Sequence, residues 1–227
     1  MSTWDSVNNV NVTLSGADLV ATTTTGSGEN GVRTSPAKTS GLVYVEVAIT
    51  AFAGVFYGFG IADSSWTYID VASGDPHVFG WHAVNGGGSF VGLGTGVTGD
   101  VVAFEFNFTT KKAWASIFHS AAWSGWFGSA AGDPEAGTNG VDFSTLSGTD
   151  YFLAFAEPNF SGDIATVNFG GSAFAGGGNK TASYSAWDAG GGGGTQVDGS
   201  AGNLSNDVGV VRRSRILSPS SSFFRAS

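Results

Sequence analysis

The residues able to do chemistry in this chain are few and scattered. Its histidines are His77, His82 and His119, and no His-x-His or His-Glu-x-x-His spacing links them. There is no cysteine, which removes thiolate catalysis, disulfides and cysteine-based zinc sites. Glycosidic hydrolysis needs two carboxylates facing one cleft. No Glu-x-Asp-x-x-Glu run supplies them from one strand, and Glu46 and Glu105 read as lone acids, solvated or hydrogen-bonded, on the polar faces of their strands. A Ser–His–acid triad has no Gly-x-Ser-x-Gly elbow to stand on. Asp70, Asp75, Asp133 and Asp142 match no calcium-loop spacing and read as turn formers. Gly92-Leu93-Gly94-Thr95-Gly96 precedes a strand and lacks the Gly-Lys-Ser/Thr ending, so it is no phosphate loop. These observations imply no catalytic residue, no metal and no cofactor.

Aromatic side chains in loops are the better candidates. Trp66 and Tyr68 sit in a polar loop, and Trp123, Trp126 and Phe127 in a Ser/Gly-rich one. Such residues stack on sugar rings or anchor an interface; the other reading is that they fold back over the sandwich ends. Trp81 and Trp114 lie within strand patterns and read as core.

Short alternating runs must position these side chains. Val43, Val45, Val47 and Ile49 alternate with Tyr44, Glu46, Ala48 and Thr50, a period of two that predicts a strand with one buried face. Val102, Phe104, Phe106 and Phe108 alternate likewise, and Thr109-Thr110-Lys111-Lys112 turns into the run 113–118. Residues 13–25 predict a strand or a pair of short strands with Leu14, Leu19 and Val20 inward. Residues 56–62 form a Gly-rich strand. Runs 77–84 and 89–93 flank Asn85-Gly86-Gly87-Gly88, a hairpin signal. The run 151–156 is apolar on both faces and belongs in the middle of a sheet, and 164–169 follows a Ser161-Gly162-Asp163 turn. Many short strands without helical periodicity predict an all-β, antiparallel two-sheet sandwich over residues 1–188. Gly190–Gly194 lies within a flexible linker, 189–194, and a C-terminal extension, 195–227, follows.

Charge is uneven. Residues 1–189 carry 5 Lys/Arg against 16 Asp/Glu, a balance of −11, whereas 190–227 carry 4 Arg against 2 Asp, a balance of +2. An acidic body repels nucleic-acid phosphates, so nucleic-acid binding is not expected. No 18-residue apolar run and no signal-peptide pattern occur, so neither membrane insertion nor secretion is expected.

Several motifs occur in an order that resembles SPRY domains. Ser40-Gly41-Leu42-Val43-Tyr44-Val45-Glu46-Val47 is similar to that family's Ser-Gly-Lys-x-Tyr-x-Glu-Val strand, and Gly58-Phe59-Gly60-Ile61-Ala62 to its Gly-x-Gly-Ile-Ala strand. Trp4-Asp5 with Val12-Thr13-Leu14-Ser15 resembles the opening strand. Gly31-Val32-Arg33 before Lys38-Thr39-Ser40-Gly41 resembles the approach to the tyrosine strand. Gly99-Asp100-Val101-Val102 resembles Gly-Asp-Val-Ile. Asp163-Ile164-Ala165-Thr166-Val167-Asn168-Phe169-Gly170 resembles the family's closing strand, Tyr184-Ser185-Ala186-Trp187 resembles the end of phage versions, and the loop Asp133-Pro134-Glu135-Ala136-Gly137-Thr138-Asn139-Gly140 is similar to a loop of phage relatives. The chain departs from eukaryotic members at Ala113-Trp114-Ala115-Ser116-Ile117, with His119-Ser120 where Asn-Gly stands in them, and in the long insertion 123–140.

The resemblance implies a β-sandwich that binds without catalysing. It points to a bacteriophage virion component, a decoration, fibre or tail-tip module, made in the host cytoplasm and built into an oligomeric assembly. Loops 64–76 and 123–140 would form the exposed face, for a host-surface glycan or protein. Val208, Val210 and Val211 would add to a neighbouring subunit's sheet edge, with Arg212, Arg213 and Arg215 on acidic surface. The alternatives are a stand-alone glycan-binding lectin-like protein and, more remotely, a glycan-cleaving enzyme.

Overall fold

The computed structural model describes residues 1–52, 57–66, 77–81, 91–92, 97–158 and 160–189. The alternating runs pair into two sheets. One holds six strands in the order β1 (Thr3–Val10), β4 (Glu29–Ser35), β13 (Tyr151–Pro158), β6 (Tyr57–Asp63), β7 (His77–Trp81) and β8 (Val91–Gly92). The other runs β11 (Ala122–Trp123), β10 (Lys112–His119), β9 (Val101–Asn107), β5 (Leu42–Ala51), β14 (Ile164–Asn168), β3 (Val20–Thr23) and β2 (Val12–Ser15). In that sheet β12 (Val141–Asp142) also pairs with β10, and β15 (Ser185–Ala186) with β5. Pairing is antiparallel throughout the described strands except β7–β8 and β5–β15. Helical structure among the described residues is confined to a 3-10 turn, Ala175–Gly177.

The core lies between the sheets and is aromatic. Phe59 stacks on Phe155 at 5.2 Å and meets Phe104 of the opposite sheet at 6.1 Å. Along β9 and one residue past it, Phe104, Phe106 and Phe108 stack at 5.8 and 6.0 Å, and the Trp187 ring stands edge-on to Phe106 at 6.0 Å. Each such pair adds roughly 0.5–1.5 kcal/mol beyond the burial of its area. The run 151–156 is central, as its apolar faces demand: β13 lies between β4 and β6.

Three expectations need correction. Residues 13–25 form the hairpin β2–β3, but Leu14 stands opposite Ala21, so Ala21 faces the core and Val20, one residue away, faces out. The runs around the glycines at 85–88 pair in parallel, Phe79 with Val91 and Gly80 with Gly92, so they are not the arms of a hairpin; 85–88 themselves lie outside the described residues. Finally, the outer face of β5 is covered along part of its length: Tyr44 and Glu46 are buried like Val45 and Val47, whereas Ala48 is half-buried and Thr50 exposed.

The cover over that outer face explains the third correction. β14 accompanies β5 only as far as Asn168 opposite Glu46, and β15 takes the same edge at Val43 and Tyr44. Between them, residues 169–184 leave the sheet and lie as an overlay across β5, β9 and β10.

Candidate functional site

The outer face of the larger sheet holds the two glutamates singled out above, Glu46 and Glu105. Cross-strand register sets Glu105 between Tyr44 and Trp114, and Ala103 between Glu46 and Ser116. Both glutamates are buried, Glu46 3 % and Glu105 0 % exposed. Neither is solvated, because the overlay supplies their partners. The Ala175 N–H donates to Glu46 Oε2 at 2.8 Å, and the Tyr44 hydroxyl donates to Oε1 at 2.5 Å. The Thr181 N–H donates to Glu105 Oε1 at 2.7 Å, and the Thr181 hydroxyl shares a hydrogen bond with Oε2 at 3.1 Å. Asn179 completes the seam: its N–H donates to Tyr44 Oη at 3.0 Å and its Nδ2 to Ser116 Oγ at 2.9 Å.

Burial dominates the electrostatics there. It lifts the Glu105 carboxyl to about 8 against the lowering effect of the Thr181 hydrogen bonds, and it lifts Glu46 as well. The phenols of Tyr44 and Tyr184 are pushed up by burial and then by the neighbouring carboxylates. Raised acids are what general-acid chemistry uses. Here their oxygens are committed to the chain's own backbone and hydroxyls, and a covered face admits no substrate.

The loop aromatics are placed differently from one another. Trp66 is only 3 % exposed. Trp126 is half-buried against the Tyr44, Trp114 and Tyr184 cluster. Phe127 packs on the main core while its backbone exchanges two hydrogen bonds with Ala115, at 3.0 and 2.7 Å, adding to the β10 edge. Trp123 is half-buried, donates Nε1–H to the Ala175 carbonyl at 3.2 Å, and meets the Phe118 ring at 5.2 Å. Trp114 is core, fully buried, and its Nε1–H donates to the Thr138 carbonyl at 2.8 Å. The loop clasps that indole so closely that a Cβ on Gly140 would stand 2.7 Å from Trp114 Cζ2. Asp133 and Asp142 serve turns, as expected: Oδ1 of each accepts a backbone N–H, from Ala136 and Ser144. Tyr68, Val208, Val210, Val211, Arg212, Arg213 and Arg215 lie outside the described residues.

Where the overlay ends, the surface opens. At the β10–β11 turn a shallow depression of about 360 Å³ is lined by Asp100, Ile117, His119, Ala122, Trp123 and Ser124. His119 Nδ1 stands 2.6 Å from Asp100 Oδ1, and the Val97 N–H donates to Asp100 Oδ2 at 3.0 Å. The Asp100 side chain is 5 % exposed and the His119 side chain 57 %. Sequence reading missed this pair, although a signal was present. Val101 stands opposite Phe118, so carrying the ladder one residue further brings Asp100 to His119.

No family model and no curated protein matches the chain. Solved structures do. The SPRY domain of human HERC1 superposes with a TM-score of 0.52 at 10% identity, covering 72% of this chain and 96% of that one. Stonustoxin gives 0.49 at 14% identity over 74% of this chain and 27% of its own, and the TRIM65 PSpry domain 0.48 at 14% over 74% and 91%. Two facing, mainly antiparallel sheets and the HERC1 superposition together give this chain a SPRY-like fold.

Proposed function

We propose that the chain is a non-enzymatic interaction module. The observation that carries this reading is the fate of Glu46 and Glu105. The buried acids best suited to bond-breaking hold the overlay in place, while an open depression at the β10–β11 turn has Trp123 and His119 among its lining residues. Concave surfaces with an aromatic wall and few fixed polar groups are recognition sites. Purified chain that turned over a polysaccharide or peptide substrate, with activity lost in Glu105→Gln, would overturn it.

The more specific assignment is a bacteriophage virion protein, a capsid decoration, fibre or tail-tip component. Its support is the similarity of segments 133–140 and 184–187 to phage versions of the fold, together with the charge contrast between body and extension. In this reading 195–227 docks onto another virion subunit. Val208, Val210 and Val211 extend a sheet edge, and Arg212, Arg213 and Arg215 meet acidic surface of the −11 kind. Removing 190–227 then abolishes incorporation into particles while the sandwich keeps its thermal transition. Incorporation of the truncated chain at full copy number would sink the docking role. A second reading, a lectin-like protein, is favoured by Trp123 lining the open depression.

A further inference from the structure

We propose that in the free chain the segment 208–211 adds as a strand to the open edge of β2 in its own sandwich, with Val208 opposite Leu14 and Val210 opposite Val12. The inference goes beyond the docking reading, which concerns the assembled particle, and gives the same segment a seat before assembly. An edge strand carries a row of N–H and C=O groups without partners, and proteins cover, bend or charge such edges. Two other edges of this sandwich are managed. β10 carries β11, β12 and the two Phe127 hydrogen bonds along its outer side. β1 breaks register between Trp4 and Asn9, and its Trp4 N–H donates to the Asp18 carbonyl at 2.8 Å. β2 has neither device. It pairs with β3 without a shift, from Val12 opposite Thr23 to Ser15 opposite Val20. Among the described residues, no backbone hydrogen bond joins Val12–Ser15 to any other segment. Its sequence, Val-Thr-Leu-Ser, has no lysine or proline to turn a strand away.

Side-chain pattern, reach and charge select the occupant. Val12 and Leu14 pack against the core but stay half-buried, while Thr13 and Ser15 are exposed. A neighbouring strand with valines at 208 and 210 continues the core-facing row and sets Gly209 beside Thr13. The body also ends close to this edge. Asp188 accepts the Ser2 N–H and the Ser2 hydroxyl, both at 2.6 Å, and two residues on, the Trp4 Nε1–H donates to the Leu19 carbonyl at 3.1 Å. The extension therefore starts beside the β2–β3 turn, at the Ser15 end of the edge, which suits antiparallel addition. The 18 residues 190–207 reach about 60 Å when extended. A Gly-rich coil of that length has a root-mean-square span of about 23 Å. Such a tether gives an effective concentration on the order of millimolar, so the chain's own edge outcompetes that of a second copy at micromolar protein. Residues 1–32 carry Asp5, Asp18 and Glu29 and no lysine or arginine. In the proposed register Arg212 and Arg213 run past Val12 toward Asn11, whose Nδ2 donates to the Glu29 carbonyl at 2.7 Å, so cations meet an acidic margin.

The chain has no cysteine, so an engineered pair reports the contact without interference. Residues directly opposite in an antiparallel pair have Cα atoms about 4.5–5.5 Å apart, within the range a disulfide spans. In the full chain at low micromolar concentration, Thr13→Cys with Gly209→Cys should form an intrachain disulfide under mild oxidation. The rate should be at least tenfold above that of Val7→Cys with Gly209→Cys, Val7 being 85 % exposed on β1. Adding Val210→Pro and Val211→Pro, which removes whichever amide faces β2, should bring the rate down to that control. Arg212→Glu with Arg213→Glu should slow it severalfold. Amide exchange gives a second measurement on the cysteine-free chain: the proline pair should speed exchange at least tenfold at one or more of residues 12–15 and leave the β3 amides unchanged. Cross-linking no faster than the control, or exchange at 12–15 that the prolines do not alter, overturns the proposal. A product made mainly of interchain dimers also overturns it and gives the edge to a second copy. None of these outcomes touches the docking reading, which falls only if the chain lacking 190–227 enters particles at full copy number.

Discussion

Glu105 and Asp100 lie five residues apart on one stretch of chain, both buried, and they end in opposite circumstances. Glu105 sits within β9, and its bonds go to Thr181 of the overlay. Asp100 sits just before β9, and one of its bonds goes to His119, whose far side meets solvent. The difference shows that a buried, fully bonded acid says little about function by itself. What matters is whether the group it holds is part of the fold or faces outward. Glu105 spends its bonding on closing a surface, and Asp100 on orienting a side chain at an open one.

The sharpest way to break the comparison is to remove the closing acid. Glu105→Ala strands the Thr181 N–H and hydroxyl and leaves a void, so unfolding free energy should drop by about 2–4 kcal/mol in urea titrations. A drop under about 0.5 kcal/mol, the range of an ordinary surface change, would mean that the overlay is held by something else. The pH dependence sharpens the same point. The folded carboxyl titrates near 8, well above an unfolded glutamate, so the folded state keeps a proton that the unfolded state has released. Raising the pH therefore favours unfolding. The contribution is fully present below the unfolded value of 4.5 and is lost as pH climbs through about 8. Glu46, shifted the same way, adds to the trend. Glu105→Gln should flatten the stability profile and exceed the parent protein at pH 9. A parent profile that rises from pH 5 to 9 would refute the assignment.

Much of the sandwich was legible because period-two alternation is a local signal. Val43 to Ile49 and Val102 to Phe108 declare their strands without reference to anything distant. The overlay was not legible. Residues 170–183 are Gly-, Ser- and Ala-rich, with no alternation, and their place is set by two acids far away in sequence, Glu46 and Glu105. That blindness misassigned the outer face of β5, since polar residues opposite a hydrophobic row read as solvent-facing until something covers them. The loop tryptophans divided for the same reason. Trp66 and Trp126 look alike in sequence to Trp123, but only contacts with distant segments decide which of them lines an open surface. The His119–Asp100 pair was within reach, because hairpin register is local; what hid it was that neither residue belongs to a recognisable catalytic spacing.

A smaller effect is expected at the hinge of the overlay. Gly176 sits at φ +55°, and a Cβ there would stand 2.5 Å from Phe118 Cε2. Left-handed backbone and a close ring together set the cost of Gly176→Ala at about 1–3 kcal/mol. Because Ala175 carries the bonds to both Glu46 and Trp123, the strain should reach the closed face and the open depression together. Differential scanning calorimetry and the Trp123 indole N–H resonance would report it, and an unchanged resonance with a lowered transition would separate the two regions.

The smallest effect on stability belongs to His119→Ala, and its smallness is what makes the open site a site. The ring is mostly solvated, and Asp100 keeps its bond from the Val97 N–H when the imidazole is gone. A hydrogen bond to a mostly exposed side chain contributes about 1 kcal/mol, and surface changes away from packing stay within about 0.5 kcal/mol. The thermal transition should therefore hardly move, in contrast to Glu105→Ala. A loss approaching that of Glu105→Ala would mean that His119 closes the β9–β10 edge as Thr181 closes the sheet face. The depression would then be one more seam in the fold, and the contrast between the two acids would disappear.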